Sequence, residues 1–338
     1  MFLGVDHGTT AIRFASEKGS IYELSRSSAA DLSYEQILSR IEESLGPERV
    51  DLVALSYSMG DGLTRIVRLE DALNRGLISQ DGAGLHQGGG TRVFEAIRAS
   101  GWPAILLPGI HRASNVDPRM KVFSHGMSPE KVGLAYGIFR NKSPSFIVCD
   151  ASSNTVSFAV LRGEIVAAID APIFAPGLLQ GPLDVQAIRD VDSGKLTANQ
   201  AFNWGGILSK MKRMGLDQCS PEERHLAMET LALFAAMEMA ALLVLCRDLD
   251  HENPQLFLAG SPAREIEPRV SALLDRRVVP LERSAAAQGC ARIAEDVFLN
   301  GQAQAFNGIH EMVCPSWDTV RSTGCSPGCN KQKTILFR

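Results

Sequence analysis

Apolar residues fall in short blocks along this chain, and two pairs of blocks share one plan. Residues 2–7 and 11–15 read as strands around Asp6-His7-Gly8-Thr9-Thr10. Residues 146–150 and 156–161 read as strands around Asp150-Ala151-Ser152-Ser153-Asn154-Thr155. Each pair is an apolar strand ending in Asp, a turn of small hydroxyl or Gly residues, and a second apolar strand. Between them, residues 21–24 suggest a third strand, and 33–45 a helix whose Ile37, Ile41 and Leu45 share a face. Residues 51–57 form a strand running into Ser56-Tyr57-Ser58-Met59-Gly60-Asp61-Gly62, the kind of strand exit where α/β folds place ligands. Residues 91–99 read as a helix, 103–107 as a strand, and 128–139 as a helix with Ser128 at the N-cap and Pro129 in the first turn.

After the second hairpin, residues 164–170 extend the sheet over the Arg162-Gly163 turn, and a loop rich in Pro and Gly follows. Short helices at 184–190 and 197–202 precede a long helical region over 221–248. A strand at 255–259 runs into Gly260-Ser261, followed by a helix to Leu274, a brief strand at 278–280 and a helix over 285–299. The natural boundary lies near 141–145. It divides the chain into residues 1–143, 144–300 and a C-terminal extension, 301–338. The halves share an order of elements rather than sequence identity, which suggests duplication.

A length of 338 residues exceeds one ordinary domain, so two are expected. A net charge of −4 gives no reason to expect a nucleic-acid partner. No cationic stretch followed by an apolar run opens the chain, so no signal peptide is expected. Residues 231–245 are strongly apolar, but Glu238 interrupts them and they fall short of the ~20 residues that span a bilayer; a buried helix, and no membrane, is the reading. The seven cysteines are scattered, unlike a secreted disulfide framework, which points to the cytoplasm. Cys149, Cys219, Cys246 and Cys290 read as buried thiols. Cys314, Cys325 and Cys329 match no standard zinc or ferredoxin spacing; they are free thiols in a tail, or three ligands of a cluster completed by a partner.

The two turns carry the chemistry. Small residues let backbone N–H groups and hydroxyls converge on a phosphate. An Asp beside them can hold a hydrated Mg²⁺ that reaches the same phosphate, which makes Asp6 and Asp150 candidate metal and catalytic residues. The competing reading is an Asp that caps its own turn. Arg65, Arg92 and Arg112 are candidate anion clamps or ordinary surface arginines, with Arg112 following a strand in Gly109-Ile110-His111-Arg112. His7 adjoins the first turn with its ring expected to point away. Asp184 is a base or, more simply, a helix N-cap, and Gly181 beside it could reach the substrate side.

The two hairpins, with Leu256-Phe257-Leu258-Ala259-Gly260-Ser261-Pro262-Ala263 as an adenosine motif, resemble the superfamily of acetate and sugar kinases, heat-shock chaperone ATPases and actin. More closely, Gly88-Gly89-Gly90-Thr91-Arg92-Val93, the segment Val122 to Val132, Gln180-Gly181-Pro182-Leu183-Asp184 and Ala285-Ala286-Ala287-Gln288-Gly289-Cys290-Ala291 are similar, in order, to segments of butyrate kinase. The opening Asp-His-Gly-Thr-Thr-Ala-Ile-Arg-Phe-Ala also resembles an archaeal group called methanogenesis marker protein 12. Two departures stand out. Carboxylate kinases open on Asn where this chain has Asp6, and carry a His-Leu-Gly motif where it has Cys149-Asp150-Ala151-Ser152-Ser153.

The resemblance implies a two-lobed α/β actin-like (ribonuclease H-like) ATPase fold, each lobe a mixed sheet flanked by helices. ATP and Mg²⁺ would sit between the lobes. Gly8, Thr9, Thr10, Ser152, Ser153, Asn154, Gly260 and Ser261 would contact the nucleotide, with Asp6 and Asp150 organising the ion. His125 lies where carboxylate kinases keep a histidine on the transferred phosphoryl group, and with Arg112 it would stabilise transfer; alternatively it is a helix-entry His packed on Pro129. The implied activity is ATP-dependent phosphorylation of a small carboxylate. The alternative is an ATP-hydrolysing assembly or activation factor with a protein client tied to methanogenic enzymes, and a third, an iron–sulfur reductase activator. Kinases of this kind are commonly homodimers.

Overall fold

The computed structural model describes residues 1–57, 63–72, 88–250 and 253–300. The tail cysteines and most of the Ser56–Gly62 exit lie outside these residues. The first half contains β1 (Phe2–His7), β2 (Ala11–Ser16), β3 (Ile21–Ser25), α1 (Arg26–Asp31), α2 (Tyr34–Leu45), β4 (Leu52–Leu55), β5 (Val67–Arg68), α3 (Gly89–Ser100), β6 (Ala104–Leu106), β7 (Ile110–His111), β8 (His125–Met127) and α4 (Pro129–Asn141). The second contains β9 (Phe146–Ala151), β10 (Thr155–Leu161), β11 (Glu164–Ile169), α5 (Val185–Asp192), α6 (Ala198–Asn203), α7 (Ile207–Lys210), α8 (Pro221–Asp248), β12 (Gln255–Ala259), α9 (Ala263–Leu274), β13 (Val278–Pro280) and α10 (Ala285–Asn300). The sequence pattern misses α1, α7 and the short strands β5, β7 and β8, which are too brief to show a period.

The strands form two principal sheets, ordered β3-β2-β1-β4-β6-β5 and β11-β10-β9-β12-β13. In both, an antiparallel meander of three strands is extended by two parallel ones, and in the first sheet β5 adds a short antiparallel edge on β6. The shared order and sense of strands is the repeat that sequence identity does not reveal.

Helices and sheets stack in alternating layers. Outside the first sheet, α2 and α3 cover Leu3, Val5, Ile12 and Phe14. Between the sheets lie α4 and α10, packed on Leu52 and Ile105 of one sheet and Phe146, Val148 and Phe158 of the other. Outside the second sheet, α8 and α9 cover Ile147, Cys149, Ala159 and Leu258. The inner strands are therefore apolar on both faces, as strands sandwiched between helices must be. Although α10 follows the second sheet in sequence, it packs on α4 and on β1.

The middle layer is tight because it is built on glycine. A Cβ on Gly289 of α10 would stand 1.8 Å from the carbonyl oxygen of Gly133 on α4, so no larger residue fits that crossing. Long as it is, α8 opens with a capping box, Ser220 with Glu223, and buries Leu231, Ala235, Met239 and Glu238. By length and composition alone it could cross a membrane. It is a core helix on one face only: Leu226, Leu233, Met237 and Val244 remain exposed, a one-sidedness the reading as a buried helix did not specify. Cys149, Cys246 and Cys290 are buried free thiols, and Cys219 is half-buried.

Candidate functional site

The period of two along a strand decides where the aspartates go. On β1, Leu3 and Val5 face the outer core, so Phe2, Gly4 and Asp6 face the middle layer. On β9, Ile147 and Cys149 face outward, so Phe146, Val148 and Asp150 face the middle layer as well. Both carboxylates thus enter one cleft between the sheets. It encloses about 160 Å³ and is lined by Asp6, Gly8, Thr9, Thr10, Asp150, Ser152, Ser153, Asn154, Gly260 and Ser261. Every residue the sequence proposed for nucleotide or metal lines this one cleft.

Buried carboxylate oxygens normally have partners. Here Asp6 Oδ1 and Asp150 Oδ1 are both buried with no hydrogen-bond partner. Their other oxygens are held: Asp6 Oδ2 lies 3.4 Å from Arg13, its cross-strand neighbour, and Asp150 Oδ2 lies 2.9 Å from Lys131 Nζ. Burial pushes the Asp6 carboxyl up to about 6, with Glu130 adding to the shift and Lys131 and Arg13 opposing it. A pair of oxygens each lacking a donor in a polar cleft fits a hydrated cation. Among the described residues no three His, Cys, Asp or Glu gather as a direct ligand set, so waters and phosphate oxygens would complete the shell.

The turns are fixed from behind. Arg26 donates from Nε to the Gly8 carbonyl (2.7 Å) and from Nη2 to the His7 carbonyl (3.2 Å), while its backbone N–H bonds the Thr10 carbonyl. The N–H groups of Leu178, Leu179 and Gln180 bond the carbonyls of Ser152 and Ser153, at 2.8 to 2.9 Å. Gly260 has φ +104°, and a Cβ there would meet the Ala151 carbonyl oxygen at 2.1 Å and Asp150 Oδ1 at 3.1 Å. The close approach that requires glycine is therefore to the end of β9, whatever the nucleotide does.

His125 and Arg112 are not in this cleft. They line a separate, smaller cavity with His111, Lys121 and Phe123. His125 lies on β8, not at a helix entry, and Nδ1 is 2.9 Å from Asp170 Oδ2. Burial lowers the basicity of its ring, but the Asp170 carboxylate outweighs this and the net shift is upward. The remaining candidates lie outside this cleft. Arg92 donates to the Leu32 carbonyl and lies over the Tyr34 ring, Arg65 is exposed, and the His7 ring lies tilted against Tyr57, 4.9 Å between centroids. Asp184 is the N-cap of α5, and Gly181 packs against Gly205. Ser128 occupies the N-cap position of α4, yet its hydroxyl bonds the Glu130 carboxylate instead of the helix backbone.

Sequence reasoning missed Lys131, Glu130, Arg13 and Arg26. A signal existed for Lys131: it shares the 131-134-135-138 stripe of α4 with Leu134, Ala135 and Ile138, so a charge stands on an apolar face. Arg13, the cross-strand neighbour of Asp6, required the register of the hairpin, and Arg26 a contact across 18 residues.

No protein-family profile matches the chain. A UPF0285 protein of Methanosarcina barkeri is 48% identical over 310 residues, covering 88% of this chain and 95% of its own length. One from Methanocaldococcus jannaschii is 37% identical, covering 87% and 94%. The chain belongs to the UPF0285 family. Among solved structures, a propionate kinase from Francisella tularensis aligns with TM-score 0.51 and 14% identity, covering 84% of this chain and 91% of that one. The likeness is one of fold: this UPF0285 protein has the α/β architecture of the actin-like ATPases, a mixed sheet on each side flanked by helices.

Proposed function

We propose that this UPF0285 protein binds Mg²⁺-ATP between its two phosphate turns and transfers the γ-phosphoryl group to a small carboxylate. The observation that carries the reading is the pair of partnerless oxygens, Asp6 Oδ1 and Asp150 Oδ1, in one cleft with two turns of small residues. The fold held in common with a propionate kinase supports it. When bound, Mg²⁺ would neutralise phosphate charge and order the β- and γ-phosphates. Asp6 and Asp150 would hold that ion through water. Thr9, Thr10, Ser152, Ser153 and Asn154 would donate to phosphate oxygens, and Gly260-Ser261 would border the nucleoside. In transfer, a carboxylate oxygen of the acceptor bonds the γ-phosphorus as its bond to the bridging oxygen breaks and ADP leaves. Arg112 and Lys121 put positive charge beside His125 in the separate cavity; at about 10 Å³ it has room for one water, so this charge would attract an acceptor carboxylate rather than enclose it.

One observation favours a second reading, an ATP-hydrolysing assembly or activation factor with a protein client. His125 and Arg112 line a cavity apart from the cleft. The methanogenesis marker resemblance and the methanogen relatives agree with a client among methanogenic enzymes.

The test is calorimetric titration of Mg²⁺-ATP into wild type and Asp150→Ala. Micromolar binding lost in the variant supports the cleft; no binding to wild type refutes it. Incubation with labelled ATP and short-chain carboxylates then separates the readings. Acyl phosphate formation supports the kinase. Phosphate release stimulated by a co-purifying protein, with no acyl phosphate, supports the assembly factor. For the kinase, His125→Ala should leave ATP affinity intact and cut transfer; loss of both, or of neither, removes His125 from the acceptor side.

A further inference from the structure

Lys131 is a lysine where lysine is seldom found. Its side chain is 8% exposed, at the first turn of α4, lining the cleft between the phosphate turns. Its ammonium lies 2.9 Å from Asp150 Oδ2 and 3.1 Å from Glu130 Oε1. Asp6 is near enough to act on it electrostatically. An ammonium has three N–H donors, and among the described residues these two carboxylates engage two of them. A cation needed only to balance Asp150 could sit anywhere along that carboxylate. This one stands in the cleft that also contains the open oxygens of Asp6 and Asp150.

We infer that Lys131 is a catalytic residue that contacts the γ-phosphoryl oxygens of the bound nucleotide. The inference rests on the reading of the cleft as an Mg²⁺-ATP site. In phosphoryl transfer the cation joins the β- and γ-phosphates, so a group bound to Asp150, in the cleft that also holds Asp6, would lie beside that cation at the terminal end of the polyphosphate. There a fixed ammonium gives a charge-assisted hydrogen bond to oxygens whose charge shifts during transfer. It also gives the site a means of telling a triphosphate from a diphosphate, since only the former presents the group it contacts.

The experiment is equilibrium titration of Mg²⁺-ATP and Mg²⁺-ADP into wild type, Lys131→Met and the paired variant Glu130→Gln/Lys131→Met. The pair guards against misfolding, because it removes the ammonium and one of the carboxylates it neutralises. Lys131→Met, or the pair if the single variant does not fold, should lose about tenfold to a hundredfold in ATP affinity and less than about threefold in ADP affinity. Equal loss for both nucleotides, or no loss, makes Lys131 a structural counter-ion and overturns the inference while leaving the cleft intact. A wild type that binds neither nucleotide overturns the cleft itself and the inference with it.

Discussion

Replacing Asp6 by Asn should stabilise the empty protein while abolishing its use of the cleft. Asp6 is 4% exposed, and its burial, reinforced by Glu130, lifts the carboxyl from 3.8 to about 6. A folded-state value above the unfolded one means that the fold holds this proton more tightly. The associated stability is complete below pH 3.8 and is lost as pH rises through about 6. At 1.36 kcal/mol per pH unit, the interval from 3.8 to about 6 is a cost of ~3 kcal/mol at pH 7.5. Asn keeps the shape without the charge, and the attraction of Arg13, 3.4 Å away, is already contained in that figure because it opposes the shift. The net gain is ~3 kcal/mol at pH 7.5, roughly 4 °C in melting temperature for a chain of this size, shrinking toward zero near pH 4. The assay is thermal or urea unfolding of metal-free wild type and Asp6→Asn from pH 4.5 to 8, with Mg²⁺-ATP titration at pH 7.5. An Asn variant no more stable than wild type at pH 7.5, or a stability gap that does not change with pH, would refute the argument from burial. Retained nucleotide affinity would remove Asp6 from the ion site.

Glu238 makes a second pH prediction away from the cleft. It is fully buried on α8, and burial pushes it up from 4.5 to about 8 against the pull of the Ser157 hydroxyl and the Ala175 N–H. Wild type should lose up to ~5 kcal/mol more than Glu238→Gln between pH 4.5 and pH 8.5, read from denaturant midpoints at both pH values; equal slopes would contradict it. Gly260→Ala, facing the Ala151 carbonyl at φ +104°, should cost ~2–4 kcal/mol and crowd Asp150, and an unchanged melting temperature would refute this. Arg26→Ala frees the carbonyls of His7 and Gly8 and should weaken Mg²⁺-ATP binding about tenfold at a stability cost of ~1–2 kcal/mol. Unchanged affinity would show that the first turn needs no clamp.

Much of the molecule was legible along the chain, because its signals are local. Apolar runs with a period of two, broken by Gly8-Thr9-Thr10 and by Ser152-Ser153-Asn154, are set by residues within a few positions of one another, and so is the N-cap at Asp184. The parity that puts Asp6 with Gly4, and Asp150 with Val148, follows from the same pleat. Short strands such as β8 escape because three residues cannot display a period; His125, read as a phosphoryl contact or alternatively as a helix-entry residue, lies instead on a strand beside Asp170.

The sequence by itself thus determined two Asp-ended hairpins, the strand-helix order around them and the class of ligand such turns suit. The tertiary structure alone decided that both hairpins face one layer. It pressed α4 against α10 through Gly133 and Gly289, so that the two sheets close on a shared cleft. It placed Lys131, whose position on an apolar stripe said only that it was buried, as a cation between Asp150 and Glu130. It also separated His125 and Arg112 into a cavity of their own. The reason is one of range: backbone period and turn chemistry act over neighbours, whereas burial and charge pairing depend on partners that only the packed layers bring together.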